Sequence, residues 1–338
     1  MIERRISRRN FLKASGIGVA GAALFGVAGC GGGQQRGGQQ GGAGGLVSRG
    51  DIRIVMMTHG PASDPFWSVE KTGADQAAAD LGIDFEYRGP ETLDIPAIQQ
   101  LYESVVATKP DGIAATVVDP DALGPIIRKA VSQDIPVVMF NSGREDWEKL
   151  GALTYIGQTE IEAGIEAGKR MAEAGVTNAL CINHQQGVLP LDQRCSGFDK
   201  GLGGSVKQVA VNGDDPTAAE NGIKVALRQN PDANGMITLG PAGADPALKA
   251  LKASGKMGSS LKFGTFDLSP SILNAVKDGE MLFAIDQEPF LQAYLAVTFL
   301  TTYIQYGLTA IGEVRTGPAF VTKENAQQVI SLSKQGIR

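Results

Sequence analysis

From Ile52 onward the chain alternates, at near-constant spacing, between short β-branched runs and longer amphipathic stretches. The strand-like runs cover residues 52–58, 83–87, 112–117, 136–140, 179–183, 208–211, 236–239, 262–266 and 282–286. Helical periodicity falls between them, as at 66–81, 95–108, 160–174, 219–229 and 247–254. Several runs are almost continuously apolar, as strands covered on both faces require. Regular β-α alternation of this kind predicts a parallel, doubly wound α/β architecture. The pattern also occurs twice: Lys109-Pro-Asp-Gly-Ile closes a helix and opens a strand, and Asn230-Pro-Asp-Ala-Asn-Gly-Met-Ile repeats the device about half a length later. Two similar lobes with a cleft between them are therefore expected, and a ligand in such sheets lies beyond the carboxyl ends of the strands.

The N-terminus contains Gly16-Ile-Gly18-Val-Ala-Gly21, which has the spacing of a dinucleotide-binding loop. That loop needs a preceding strand and an acidic residue about 20 positions on, and this chain has neither. Upstream of Gly16 lies a basic head of Arg4, Arg5, Arg8, Arg9 and Lys13, and downstream a short run of small apolar residues ends at Cys30. That order is an export signal. Ser7-Arg8-Arg9-Asn10-Phe11-Leu12-Lys13 resembles the twin-arginine motif. Val27-Ala28-Gly29-Cys30 resembles a bacterial lipobox, which implies a signal over 1–29, cleavage before Cys30 and lipidation of its sulfur. Residues 30–50, rich in Gly and Gln, are then expected to be a flexible tether.

The signal removes five basic residues and one acidic, so the formal charge of the remaining chain moves from −5 to −9. An acidic surface argues against nucleic acid and against a polybasic membrane contact. Beyond Cys30 stand two cysteines, Cys181 in a strand and Cys195 near the start of the next helix. In an exported chain they are either a disulfide or two buried thiols, and the residues alone leave both readings open.

The strand ends carry the chemistry. After the first strand comes His59-Gly-Pro-Ala-Ser-Asp64-Pro-Phe66-Trp67, with Asp64 at a helix N-cap and Pro65 in its first turn. Adjacent helical residues diverge, so one of Phe66 and Trp67 belongs to the core. Asn141-Ser142, Asp192-Gln193-Arg194, Gly240-Pro241, Asp267 and Asp286-Gln287 occupy the other strand ends. A hydroxyl group both donates and accepts. Carboxylates accept from neighbouring hydroxyls by charge-assisted bonds, amides do both, and an aromatic face covers ring C–H groups.

In order and spacing, Asp64-Pro-Phe-Trp, Ile135-Pro-Val-Val ending in Asn141, Arg194-Cys-Ser-Gly-Phe198, Gly264-Thr-Phe-Asp267 and Asp286-Gln287-Glu-Pro289 resemble the type I periplasmic solute-binding proteins of sugar ABC importers, in the ribose/galactose branch. The resemblance implies two Rossmann-like lobes joined by a three-crossing hinge near Gly157, Gln287 and Gly317. The N-terminal lobe is then 51–157 with 288–317, and the C-terminal lobe 158–287 with 318–338. Asp267 and Gln287 match the ribose-binding pattern. Asp64 replaces an Asn, Asn141-Ser142 replaces Asp-Arg, and Asp192 replaces an Arg. Asp192-Gln193 and Gly240-Pro241 instead resemble the rhamnose/autoinducer-2 branch, with His59 in place of a lysine.

The implied protein is a lipid-anchored, extracytoplasmic monomer that binds a monosaccharide or sugar alcohol, hands it to an ABC permease, and needs no cofactor. The implied ligand set is His59, Asp64, Phe66, Trp67, Asn141, Ser142, Asp192, Gln193, Arg194, Pro241, Asp267 and Gln287. Arg194 is also read as a structural partner for lobe carboxylates. A tethered sensor signalling to a chemoreceptor or kinase would have the same sequence features. An enzyme is disfavoured, because the chain has only two histidines, His59 and His184, and no nucleophile elbow, zinc-protease or P-loop motif. A metal held by His59, Asp64, Asp192 and Asp267 would use the same acidic residues that a sugar site explains without a cation.

Overall fold

The computed structural model describes residues 47–257 and 261–338; the signal at 1–29, Cys30 and the tether up to residue 46 lie outside them. Val55 and Met57 of β1 (Arg53–Met57) enter one apolar cluster, and Ile54 and Met56 enter another on the opposite face. Cys181 and Ala179 of β6 (Asn178–Asn183) likewise face away from Leu180 and Ile182. Period-2 alternation between two buried faces accounts for the continuous hydrophobicity of these runs.

The first half contains α1 (Pro65–Leu81), β2 (Asp84–Arg88), α2 (Ile95–Ala107), β3 (Gly112–Ala115), α3 (Pro120–Ser132), β4 (Val137–Phe140), the single turn α4 (Trp147–Leu150) and β5 (Tyr155–Gly157). The second contains α5 (Glu160–Glu173), β6, α6 (Leu189–Leu202), β7 (Ser205–Ala210), α7 (Pro216–Gln229), β8 (Gly235–Thr238), α8 (Pro241–Ala253), β9 (Lys262–Phe266), α9 (Pro270–Asp278) and β10 (Phe283–Asp286). They are followed by α10 (Pro289–Tyr306), β11 (Val314–Arg315), β12 (Ala319–Val321) and α11 (Ala326–Ser333). The two six-stranded sheets run β11-β5-β4-β3-β1-β2 and β12-β10-β9-β8-β6-β7. The orders are equivalent, so β1 corresponds to β6 and β4 to β9. Every ladder is parallel except β10–β12.

The chain passes between the sheets after β5, after β10 and between β11 and β12, and α10 packs back on the first sheet. The three passages lie side by side. Gly317, at φ +65°, is so close to the others that an added Cβ would sit 2.9 Å from the Gln287 Cα and 3.1 Å from the Gln158 Oε1. Glycine is required there on both counts.

Differences from the sequence reading have local causes. β7 starts at Ser205 rather than 208, because it is an edge strand whose Ser205, Lys207 and Gln208 face water. α8 starts at Pro241 rather than 247, with Pro246 accommodated inside it. β5, β11 and β12 span only two or three residues and leave no periodic signal. Residues 47–50, read as tether, are held on α10: Arg49 Nε donates to Gln305 Oε1 and Gln305 Nε2 donates to the Val47 carbonyl. A disulfide joins Cys181 of β6 to Cys195 across a Cα–Cα distance of 6.0 Å, and Cys195 lies in the middle of α6 rather than near its start.

Candidate functional site

Asn141 and Asp267 directly follow β4 and β9, the corresponding strands of the two sheets, and both adopt φ +61°. The left-handed region is costly for most side chains and least so for Asn and Asp. The two residue types that tolerate the turn are thus also the ones with polar groups to present there. His59 and His184 follow β1 and β6 in the same pairwise way, two residues and one residue beyond the strand ends. All four side chains line one cleft of about 140 Å³ between the sheets. Asp64, Phe66 and Trp67 complete its wall on the first side. Glu160, Gln185, Arg194 and Pro241 lie on the other, with Gln287 at the second chain passage.

A hydrogen-bonded chain crosses the cleft floor. Arg194 donates through Nε and Nη2 to Glu160, at 2.6 and 3.2 Å, and through Nη1 to the Leu239 carbonyl and to Asp267 Oδ2, at 2.7 and 3.2 Å. Gln287 Nε2 donates to Asp267 Oδ1 at 2.6 Å, and Asn141 Nδ2 donates to Gln287 Oε1 at 3.3 Å. Burial opposes the charge on Arg194, but the Glu160 and Asp267 carboxylates outweigh it and hold the guanidinium protonated, its pKa raised above the usual arginine value. The Phe266 ring packs 4.6 Å from that guanidinium. Helix packing sets up the pair. Gly164 and Gly168 of α5 lie directly against the backbone of α6, and Gly197 and Gly201 of α6 against that of α5. This close approach sets Glu160, at the start of α5, beside Arg194.

On the opposite wall, Asp64 caps α1 by accepting from the Phe66 amide at 2.8 Å, and burial raises its pKa against that bond. Trp67 is nearly buried, with its ring edge-on to Phe66 at 5.0 Å and to His59 at 4.6 Å. Its indole fills the space a side chain at Gly60 would need. His59 Nδ1 bonds Thr116 Oγ1 at 2.9 Å. Burial drives His59 down to about 3, and burial together with the Arg194 charge drives His184 down to about 4. Both imidazoles are therefore neutral near pH 7, and His184 Nδ1 is buried with no partner.

Three residues of the expected set are elsewhere. Ser142 and Gln193 line a small adjoining recess of about 20 Å³ with Arg144 and Glu145. Asp192 is turned away and accepts from Asn183 at 3.0 Å and Gln208 at 3.4 Å, because its place on α6 faces the β6–β7 edge while Arg194, two residues on, faces the cleft. Among the described residues no three His, Cys, Asp or Glu side chains gather as metal ligands, so the four named as a metal alternative do not form one. Sequence reasoning missed Glu160, His184 and Gln185. The internal repeat carried a signal for His184, since it stands where His59 stands one lobe earlier; Glu160 looks like any first-turn acid of a helix.

Residues 54–308 match the family model of the periplasmic binding protein domain, and residues 5–25 match that of the twin-arginine translocation signal, which indicates export from the cytoplasm. A carbohydrate transporter of Acidothermus cellulolyticus 11B, solved in complex with myo-inositol, is similar at 37% identity and TM-score 0.80, over 85% of this chain and 99% of that one. An ABC transporter solute-binding protein of Burkholderia graminis C4D1M, solved with D-arabinose, is similar at 26% identity and TM-score 0.76, over 83% and 98%. The xylose/arabinose-binding protein XylF of Sulfolobus acidocaldarius is 26% identical over 298 residues, 83% of this chain and 74% of its own. With its two equivalent sheets, its three passages between them and its polar cleft, the chain belongs to the periplasmic binding protein domain family.

Proposed function

We propose that this protein captures one uncharged, hydroxyl-rich ring, a monosaccharide or a sugar alcohol such as a cyclitol, between two lobes and delivers it to an ABC permease. The observation that carries the reading is the charge state of the cleft. Its one guanidinium is spent on Glu160, Leu239 and Asp267, and both imidazoles are neutral. No free cation faces an anionic ligand among the described lining residues. Asp64, Asn141, Asp267 and Gln287 offer the mixture of acceptors and donors that hydroxyls match, and Phe66 and Trp67 offer apolar surface for ring C–H groups. Relatives solved with myo-inositol and D-arabinose support the same ligand class. We further propose a mature chain anchored through lipid on Cys30, acting as a monomer outside the cytoplasmic membrane, with lobes of 51–157 plus 288–317 and 158–287 plus 318–338. Titration of the mature protein with myo-inositol, D-arabinose, D-xylose, D-ribose and D-glucose tests the binding claim. One of them binds and is recovered unchanged, and Asp267→Asn weakens it about ten- to a hundredfold, the scale of a hydrogen bond to a charged acceptor. An Asp267→Asn variant with undiminished affinity refutes the site. Release of a Cys30→Ser variant from membranes tests the anchor.

A further inference from the structure

Among the described residues Gln287 is the one whose side chain bonds both walls of the cleft, through Asp267 and Asn141, and it is flanked by two acids that take no part in the cleft floor. Asp286, the last residue of β10, is 1% exposed and accepts the Glu288 amide on Oδ1 at 2.7 Å. Its other oxygen, Oδ2, accepts from Arg338 Nη1 at 2.8 Å. Glu288, at φ +61°, caps α10 without a side-chain bond to it and accepts from Arg338 Nη2 at 3.4 Å. One guanidinium therefore forks across both neighbours of Gln287.

The segment carrying Arg338 reaches that point from the far side. It leaves α11, which packs on α9, and passes α1 with the Gly336 backbone against Thr72. Arg338, Phe66, Asp267 and Asp286 together border a crevice of about 260 Å³ directly behind the cleft. Residue 288 in a left-handed conformation costs energy unless its surroundings hold it there. The fork supplies such a hold, and a bidentate guanidinium contact fixes geometry more tightly than a point charge does.

We infer that Arg338 is a positioning residue of the ligand cleft, clamping Asp286 and Glu288 so that Gln287 stays in the conformation that bridges Asp267 and Asn141. The inference rests on the cleft being the ligand site. Burial pushes Asp286 up to about 6; Arg338 and the Glu288 amide oppose the rise, while the Glu288 and Asp267 carboxylates add to it. Without Arg338, burial and two like charges act with only the amide against them, and the Asp286 pKa rises further. An ionised Asp286 then lies buried without its counter-ion, whereas a protonated one does not strain the passage.

The test compares wild type, Arg338→Gln and Arg338→Lys in two ways. Calorimetric titration with myo-inositol or D-arabinose, whichever saturates the wild type, should show Arg338→Gln binding about tenfold more weakly at pH 8. The ratio to wild type should shrink at pH 5.5, which lies below the value of about 6 to which Asp286 is already raised in wild type. Arg338→Lys should recover part of the loss at pH 8, since it keeps the charge but not the fork. Hydrogen exchange of the ligand-free proteins is read separately: peptides covering 284–292 should exchange faster in Arg338→Gln while the sheets stay as protected as in wild type. Equal affinity loss at both pH values, no rescue by lysine, or unchanged exchange at 284–292 overturns the role of Arg338. Failure of the wild type to bind any of the ring compounds overturns the ligand reading and leaves the exchange result to decide the clamp.

Discussion

Both carboxyl oxygens of Glu70 are buried without a hydrogen-bond partner, one turn along α1 from Trp67. Burial lifts its pKa well above the carboxylate range, and the Asp267 charge lifts it further. A carboxyl raised in the folded state binds a proton that the unfolded chain gives up earlier. Its contribution is complete below the unfolded value near 4.5 and is lost as pH rises toward the folded one. Glu70→Gln keeps the shape of the protonated acid and removes that loss. In urea unfolding at pH 5, 7 and 9 the variant should gain on wild type as pH rises, and a constant difference would place the proton elsewhere. The same residue marks where sequence reading stopped. That Asp64, Asn141, Asp267 and Gln287 line the cleft was legible because strand-end chemistry and the resemblance to sugar receptors both point at them. Glu70 and Glu160 were not, because an acid in a helix reads as solvated surface until the packing around it is known. Asp192 misled for the converse reason: two positions along a helix turn a side chain by about half a revolution, so Asp192 and Arg194 cannot share a face.

At the scale of elements, the contact between α5 and α6 governs how far apart Glu160 and Arg194 sit. Gly164-Ile-Glu-Ala-Gly168 and Gly197-Phe-Asp-Lys-Gly201 put small residues one turn apart on both helices, so that backbone meets backbone. Gly168→Ala is favoured by helix propensity by about 1 kcal/mol. Its new carbon, however, would run into the Phe198 carbonyl and the Leu202 amide, main-chain atoms that cannot rotate away. Overpacking of that kind costs about 1–3 kcal/mol or more, and here a shifted α6 also pulls Arg194 from Glu160. Denaturant unfolding should show a net loss of at least about 1 kcal/mol. Gly222→Ala in α7, which meets only the Val211 side chain at 3.2 Å, should change stability less; equal effects would mean the helices tolerate separation. The order of strands and helices was readable from periodicity because each buried face imposes its own period on the residues. The glycine pairs were not read, since glycine at four-residue spacing also occurs in helices that touch nothing.

On the scale of the whole molecule, three adjacent passages join the two sheets, and two further contacts bring the sheets together away from those passages. Leu93 of the first half packs into the apolar cluster of the second, and Gln193 Nε2 donates to Glu145 Oε1 at 3.1 Å across the mouth. Both contacts exist only while the lobes are together. A ligand that touches both walls favours that state by its differential affinity for it, and its apparent dissociation constant scales inversely with the fraction of closed protein. Gln193 lines the outer recess and not the cleft itself. Removing its exposed bond should therefore cost closure about 0.5–1.5 kcal/mol and weaken apparent affinity about two- to tenfold. The loss belongs to closing rather than to recognition, so Gln193→Ala should lower the affinity for every accepted ring by the same factor and leave their ranking unchanged. Titration of the variant against the panel used for wild type measures this directly. A loss confined to one compound would instead put the Gln193 amide in contact with that ligand, as its position next to Asp192 and Arg194 in the sequence first suggested.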